Sequence, residues 1–177
     1  MDEKTLSSRR VFEGRLLKLD VMEVQLEGEQ RGRREVIRHP GAAVVLARRP
    51  DGRFVFVRQF RKPMERELLE VIAGCLNPGE APDACAAREV REETGYEVAA
   101  LRPLGSAYTS PGFCDEMMHM FFAELKAGPE TPMPDEDERV EPVVLGKNEV
   151  DAMMARGEIV DAKTLLLWLL SRKAGLV

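Results

Sequence analysis

Hydrophobic residues in the first third of the chain recur at every second position. Leu17, Leu19 and Val21 form one such row, and Met22, Val24 and Leu26 continue it on the opposite parity. Period two is the spacing of a strand with one covered face. The change of parity predicts a bulge, or a strand that passes from one surface to another. Gly28-Glu29-Gln30-Arg31-Gly32 predicts a turn and residues 33–39 a returning strand, before His39-Pro40-Gly41 interrupts the chain. A small β-rich unit is therefore expected over residues 1–39. It has too little sequence for a core of its own.

A different organisation follows over residues 40–177. Residues 42–47 read as a buried strand, Pro50-Asp51-Gly52 as a turn, and 53–61 as the returning strand of a hairpin. Residues 67–73 are again extended, and Asn77-Pro78-Gly79 turns the chain. Residues 82–94 predict a helix, with Pro82 in its first turn and Gly95 just past its end. Strands are expected at 104–109, 117–125 and 140–145, and a long mobile loop rich in proline and acid at 127–137. Two helices, 149–156 and 162–173, stop at Gly157 and Gly175. The mixture is an α/β fold without internal repeats.

Composition narrows the partners. The 177 residues carry 26 Lys and Arg against 31 Asp and Glu, a net charge of −5, which excludes a globally basic nucleic-acid coat. An anionic substrate would need a local metal or arginine cluster. The three cysteines, Cys75, Cys85 and Cys114, cannot all pair within one chain, and a reducing compartment is the simpler reading. Met1-Asp2-Glu3-Lys4 lacks the pattern of a signal peptide, and the longest apolar runs, 41–47 and 165–170, are too short for a bilayer. A cytoplasmic protein is expected, with no membrane and no nucleic-acid partner.

The chemistry concentrates on the predicted helix 82–94. Glu89, Glu92 and Glu93 stand at i, i+3 and i+4 and share one face. Three carboxylates on one face repel each other unless a cation sits among them. Hard oxygen donors at this density suit Mg²⁺ or Mn²⁺, which also bind phosphate oxygens. A helix with Arg88 and Glu92 at i, i+4 is also compatible with a plain salt-bridged solvent face. The longer pattern decides: Gly74, five residues, Glu80, seven residues, then Arg88-Glu89-Val90-x-Glu92-Glu93-x-Gly95-Tyr96. Its seven fixed positions match by chance with a probability on the order of 10⁻⁸ to 10⁻⁹ per window.

This segment resembles a complete Nudix box. The resemblance implies an α/β/α sandwich and hydrolysis of nucleoside diphosphates linked to another moiety. Pro111 lies 111 − 95 = 16 residues beyond Gly95, a placement similar to the ADP-ribose pyrophosphatase group. Thr109-Ser110-Pro111-Gly112-Phe113-Cys114-Asp115-Glu116 resembles that group's catalytic loop. Further likeness lies in Arg58-Gln59-Phe60-Arg61, in the stretch from Gly157 to Thr164, and in the N-terminal β unit, which the group exchanges between subunits of a homodimer.

The resemblance implies roles. Glu89 and Glu93 are the expected metal ligands, with Glu92 and the carbonyl of Ala73 contributing; Glu92 also belongs to the candidate catalytic residues. Arg88 is expected to pair with and orient Glu80. Glu116 is the candidate base, on a loop expected to be mobile before substrate arrives. Arg61 and Arg34 are candidate phosphate or adenine contacts, with Ser110 and Gly112 as further substrate contacts. Gly112 is expected where a side chain would obstruct the turn. The implied reaction is Mg²⁺-dependent hydrolysis of ADP-ribose to AMP and ribose 5-phosphate by a homodimer. The alternatives are another nucleoside diphosphate sugar such as GDP-mannose, a non-catalytic sensor, and a metal-dependent isomerase. His119, Cys114, Trp168 and the acidic stretch 135–138 read as structural or solvated residues.

Overall fold

The computed structural model describes residues 2–129 and 139–177. The acidic stretch 135–138, and the expected loop from residue 130 on, lie outside the described residues. The chain forms two compact units. One comprises Met1–Gly41 with Ala107–Met118, the other Ala42–Ser106 with His119–Val177. A division at residue 39 had no place for the 107–118 segment, because only folding brings it beside the N-terminal strands.

The first unit is built on an antiparallel sheet of β1 (Lys4–Glu13), β2 (Lys18–Gln25) and β3 (Arg31–Arg38) in that order. β2 and β3 pair without a break from Lys18 opposite Arg38 to Gln25 opposite Arg31. The expected bulge is therefore not in β2–β3. The irregularities lie on β1, between Thr5 and Ser7 and between Arg10 and Phe12. β1 itself had no signature, because all ten of its residues are exposed and no apolar row marks a covered face. Asp20 is buried in this sheet and takes guanidinium nitrogens from Arg10 and Arg38, which satisfies an otherwise costly charge.

The second unit contains β4 (Ala42–Arg48), β5 (Phe54–Arg61), β6 (Arg66–Glu70), β7 (Ile72–Cys75), β8 (Val98–Tyr108), β9 (Met117–Leu125) and β10 (Val140–Leu145). The main order is β10-β5-β4-β9-β8, with β6 on β5 and β7 on β4. The helices are α1 (Pro82–Thr94), α2 (Lys147–Ala155) and α3 (Ala162–Lys173). Strand alternation divides the core into two faces. Ala43, Val45 and Ala47 of β4 cluster with Cys85, Ala86 and Val90 of α1. On the other side Trp168 of α3 is fully buried, 5.0 Å from the Phe54 ring and 6.2 Å from that of Phe56. The result is the expected α/β/α sandwich.

The extended segment expected at 67–73 is split at Val71. The Val71 N–H donates to Thr164 Oγ1 of α3 at 2.8 Å, and the chain passes from the edge of β5 to the edge of β4. This step brings Ala73 and Gly74 beside α1.

Candidate active site

α1 starts at Pro82, whose ring suits a first helical turn, and ends where Gly95 takes the left-handed conformation with φ 71°. Its buried residues are Cys85, Ala86, Glu89, Val90, Glu93 and Thr94. Two acids thus sit on the covered face, Glu89 at 8% exposure and Glu93 at 4%. β7 approaches them closely. A Cβ on Gly74 would lie 1.9 Å from the Glu89 carboxyl, so any larger residue there must displace that carboxyl or the β7 backbone. Ala73, opposite Val44 in the β4–β7 ladder, is the neighbouring residue.

Arg88 is the hub of the acids. It donates to both Glu80 oxygens at 2.8 and 2.9 Å, to Glu92 at 2.8 Å, to Glu89 at 2.5 Å, and to the Cys75 carbonyl at 3.1 Å. Glu80 also accepts the Asn77 N–H at 2.9 Å. Arg88 and this N–H hold the Glu80 carboxyl down to about 2, while its carboxylate partners raise the Arg88 guanidinium. Among the described residues, no three His, Cys, Asp or Glu side chains gather around a single point. Glu89, Glu92 and Glu80 are instead drawn onto Arg88. The donor set still suits a hard cation, with buried carboxylates one helical turn apart beside a glycine cradle.

Arg61 closes β5. Its Nε and Nη2 both meet Glu70, each at 2.7 Å, and Lys163 donates to the same carboxylate. Burial pushes the Glu70 carboxyl up, but Arg61 and Lys163 outweigh it and hold the group below its ordinary value. The hydrogen bonds to Glu70 raise the Arg61 guanidinium, burial opposes this, and the charges of Glu70, Asp161 and Glu93 add to the rise.

The remaining candidates belong to the first unit. Arg34 pairs with Glu3. Both line a cavity of about 860 Å³ with Arg33, Tyr108, Gly112 and Phe113. Ser110 anchors a turn, its carbonyl accepting from the Phe113 and Cys114 N–H groups at 3.1 and 2.9 Å. Gly112 has no positive φ, and a Cβ there would meet nothing within 4 Å. The expected steric need for glycine at 112 is thus not found.

Glu116 accepts the Thr109 hydroxyl at 2.7 Å, and its other oxygen lies 3.7 Å from His39 Nδ1. That nitrogen also accepts the Gly41 N–H at 3.1 Å. The loop before Glu116 is tied to β3. The Ile37 N–H donates to Phe113 at 2.7 Å, the Ile37 carbonyl accepts from Asp115 at 3.2 Å, and the Asp115 carboxylate takes Arg38 and the His39 N–H, each at 2.8 Å. It is more constrained than its proline and glycine suggested.

Sequence reasoning missed Thr109, His39, Asp115, Glu70 and Lys163. Glu70 had a signal: a lone acid within Leu68-Leu69-Glu70-Val71-Ile72 must find a partner if it is buried. The Asp115 and His39 contacts join distant segments and had none. His119 bonds Ser106 at 3.1 Å, and Trp168 Nε1 donates to Asp151 at 3.0 Å, both structural roles.

The chain is similar to known proteins. A family model described as NUDIX domain matches residues 37–167. The chain is 41% identical to an ADP-ribose pyrophosphatase of Bacillus subtilis (strain 168), covering 93% of this chain and 89% of that protein. It is 40% identical to a methanol dehydrogenase activator of Bacillus methanolicus, covering 93% and 90%. It is also 40% identical to a GDP-mannose pyrophosphatase of Yersinia enterocolitica, covering 72% and 70%. A solved structure of an ADP compounds hydrolase superposes with a TM-score of 0.85 at 21% identity, covering 100% of this chain and 98% of that one, a likeness of fold.

Proposed function

The chain belongs to the Nudix family, and on that premise we propose that it hydrolyses the diphosphate of ADP-ribose to AMP and ribose 5-phosphate. The observation that carries the chemistry is the pair of buried acids on α1, Glu89 and Glu93, with the Glu89 carboxyl seated against the backbone of Gly74. The substrate choice is supported by the B. subtilis relative, which matches over 93% of the chain, whereas the GDP-mannose pyrophosphatase matches over 72%.

Glu89 and Glu93 would hold a divalent cation, Mg²⁺ or Mn²⁺, with Glu92 and the Ala73 carbonyl as further donors. When bound, it neutralises charge developing on the diphosphate. Arg88 fixes the acids around it and is itself fixed by Glu80. Arg61 meets the phosphates, and Arg34, Ser110 and Gly112 contact the rest of the substrate. Glu116 takes the proton of the attacking water. The water oxygen bonds to phosphorus, the bridging P–O bond breaks, and the other phosphate leaves; no covalent enzyme intermediate is required.

The protein works in the cytoplasm as a homodimer. The exposed apolar residues Leu6, Val11 and Phe12 of β1 are the surface to be covered. Among the described residues no helix is long and apolar enough to cross a membrane. A panel of ADP-ribose, GDP-mannose, NADH and diadenosine polyphosphates, assayed with Mg²⁺, tests the substrate. ADP-ribose should give the highest kcat/KM. A higher value for GDP-mannose would move the assignment to that sugar nucleotide, and tight binding without turnover would indicate a sensor.

A further inference from the structure

Glu70 is 1% exposed, yet it is a carboxylate in an apolar run. It stands opposite Val57 in the β5–β6 ladder, and Val57 belongs to the core cluster formed with α1. Glu70 therefore lies on the α1 side of the sheet. Arg61 has the same parity as Val57, four residues further along β5, which is roughly 13 Å of strand. A side chain at a strand end ordinarily stands away from the sheet. Arg61 instead reaches back along the strand and places Nε and Nη2 on the two oxygens of Glu70. This fork contact fixes the plane and direction of the guanidinium. The Nη1 edge faces away from Glu70, and about a third of the side chain (34%) remains open to solvent.

Anchoring β6 to α3 does not need Arg61. Lys163 of α3 already meets Glu70, and Thr164 already holds the Val71 N–H. Lys163 is itself steered by Asp161 at 2.9 Å. The carboxylate is thus gripped from α3, and the guanidinium is the group it directs.

We propose that Glu70 is a positioning residue, which aims the outer edge of Arg61 at the diphosphate of the substrate while Lys163 holds Glu70 in place. This rests on the reading of Arg61 as a phosphate contact. Arg61 without Glu70 would keep its charge but lose its orientation, so substrate binding should suffer more than turnover.

The test measures KM and kcat for ADP-ribose with Mg²⁺, and melting temperature, for the wild type, Arg61→Ala, Arg61→Lys, Glu70→Gln and the Glu70→Gln/Arg61→Ala double variant. Arg61→Ala should raise KM by about 10-fold or more, and Glu70→Gln by about 5-fold or more with a smaller change in kcat. The double variant should match Arg61→Ala, because Glu70 acts through Arg61. If Glu70→Gln multiplies KM again in the Arg61→Ala background, Glu70 acts independently and the proposal is overturned. A wild-type KM in Arg61→Ala removes Arg61 from the substrate, which overturns the underlying contact and the proposal with it. If Glu70→Gln does not fold, Arg61→Lys decides, since an ammonium keeps the charge without the fork. A KM raised about 5-fold or more supports positioning, and a wild-type KM overturns it.

Discussion

Gly74 and Glu80 set the terms of the site one residue at a time. A Cβ at Gly74 would lie 1.9 Å from the Glu89 carboxyl, so Gly74→Ala must displace Glu89 or the β7 backbone. Turnover of ADP-ribose should fall by about 10²-fold or more, the scale of a misplaced catalytic constellation. Kinetics read beside a thermal melt check this, since a fold lost along with activity would mean that the glycine serves packing alone. Glu80 makes a pH prediction. Its carboxyl is held at about 2 against an ordinary 4.5, so the Arg88 contact stabilises the fold fully above pH 4.5 and is lost as pH falls through about 2. The melting temperatures of wild type and Glu80→Gln should therefore converge across that window, and a constant difference would show that the charge is not what Glu80 contributes. Glu89, Glu92 and Glu93 were legible because a fixed spacing on one helix face needs no tertiary information, and Gly74 and Glu80 because they complete the box that the segment resembles. Glu70 and Asp115 were not read as site residues, because their partners Arg61, Lys163, Arg38 and the His39 N–H are chosen by the fold.

Among the elements, α1 was readable to its ends because proline and glycine mark both. β1 was not, because a strand exposed along its whole length leaves no apolar row. The split between β6 and β7 was hidden for another reason: the Val71 N–H goes to Thr164, a partner 93 residues away. The loop carrying Glu116 gave its composition but not its constraint, since the β3 contacts are long-range. That constraint sharpens its prediction. With the backbone held by Ile37 and the carboxylate by Thr109, Glu116→Gln should leave the loop in place. Turnover should fall by roughly 10²–10⁴-fold while affinity for ADP-ribose changes little. Isothermal titration beside steady-state kinetics separates the two. If affinity collapses together with turnover, Glu116 is a clamp on ligand or metal rather than the base.

The whole molecule carries a net charge of −5 while the proposed substrate is an anion, so local cations, Arg61 and Arg34 with a divalent metal, are needed to draw it in. Most of its strands and helices followed from alternation and helix punctuation and its α/β/α layering from the resemblance to the Nudix box, while the place of the 107–118 segment in the first unit did not, because no local pattern encodes it. The exposed apolar residues of β1 predict a homodimer at micromolar concentration by light scattering, and a variant lacking residues 1–38 should be monomeric or aggregated and bind nucleotide poorly; a monodisperse full-length monomer would contradict this. The central claim is metal-dependent cleavage of ADP-ribose through the acids of α1. It is tested most directly by following AMP and ribose 5-phosphate release from ADP-ribose with Mg²⁺, with excess chelator, and with Glu93→Gln. The account predicts equal release of both products with Mg²⁺, none above background with chelator, and a rate lower by at least ~10²-fold for the folded variant. Undiminished cleavage by Glu93→Gln or in chelator, or intact ADP-ribose after incubation with Mg²⁺, would contradict it.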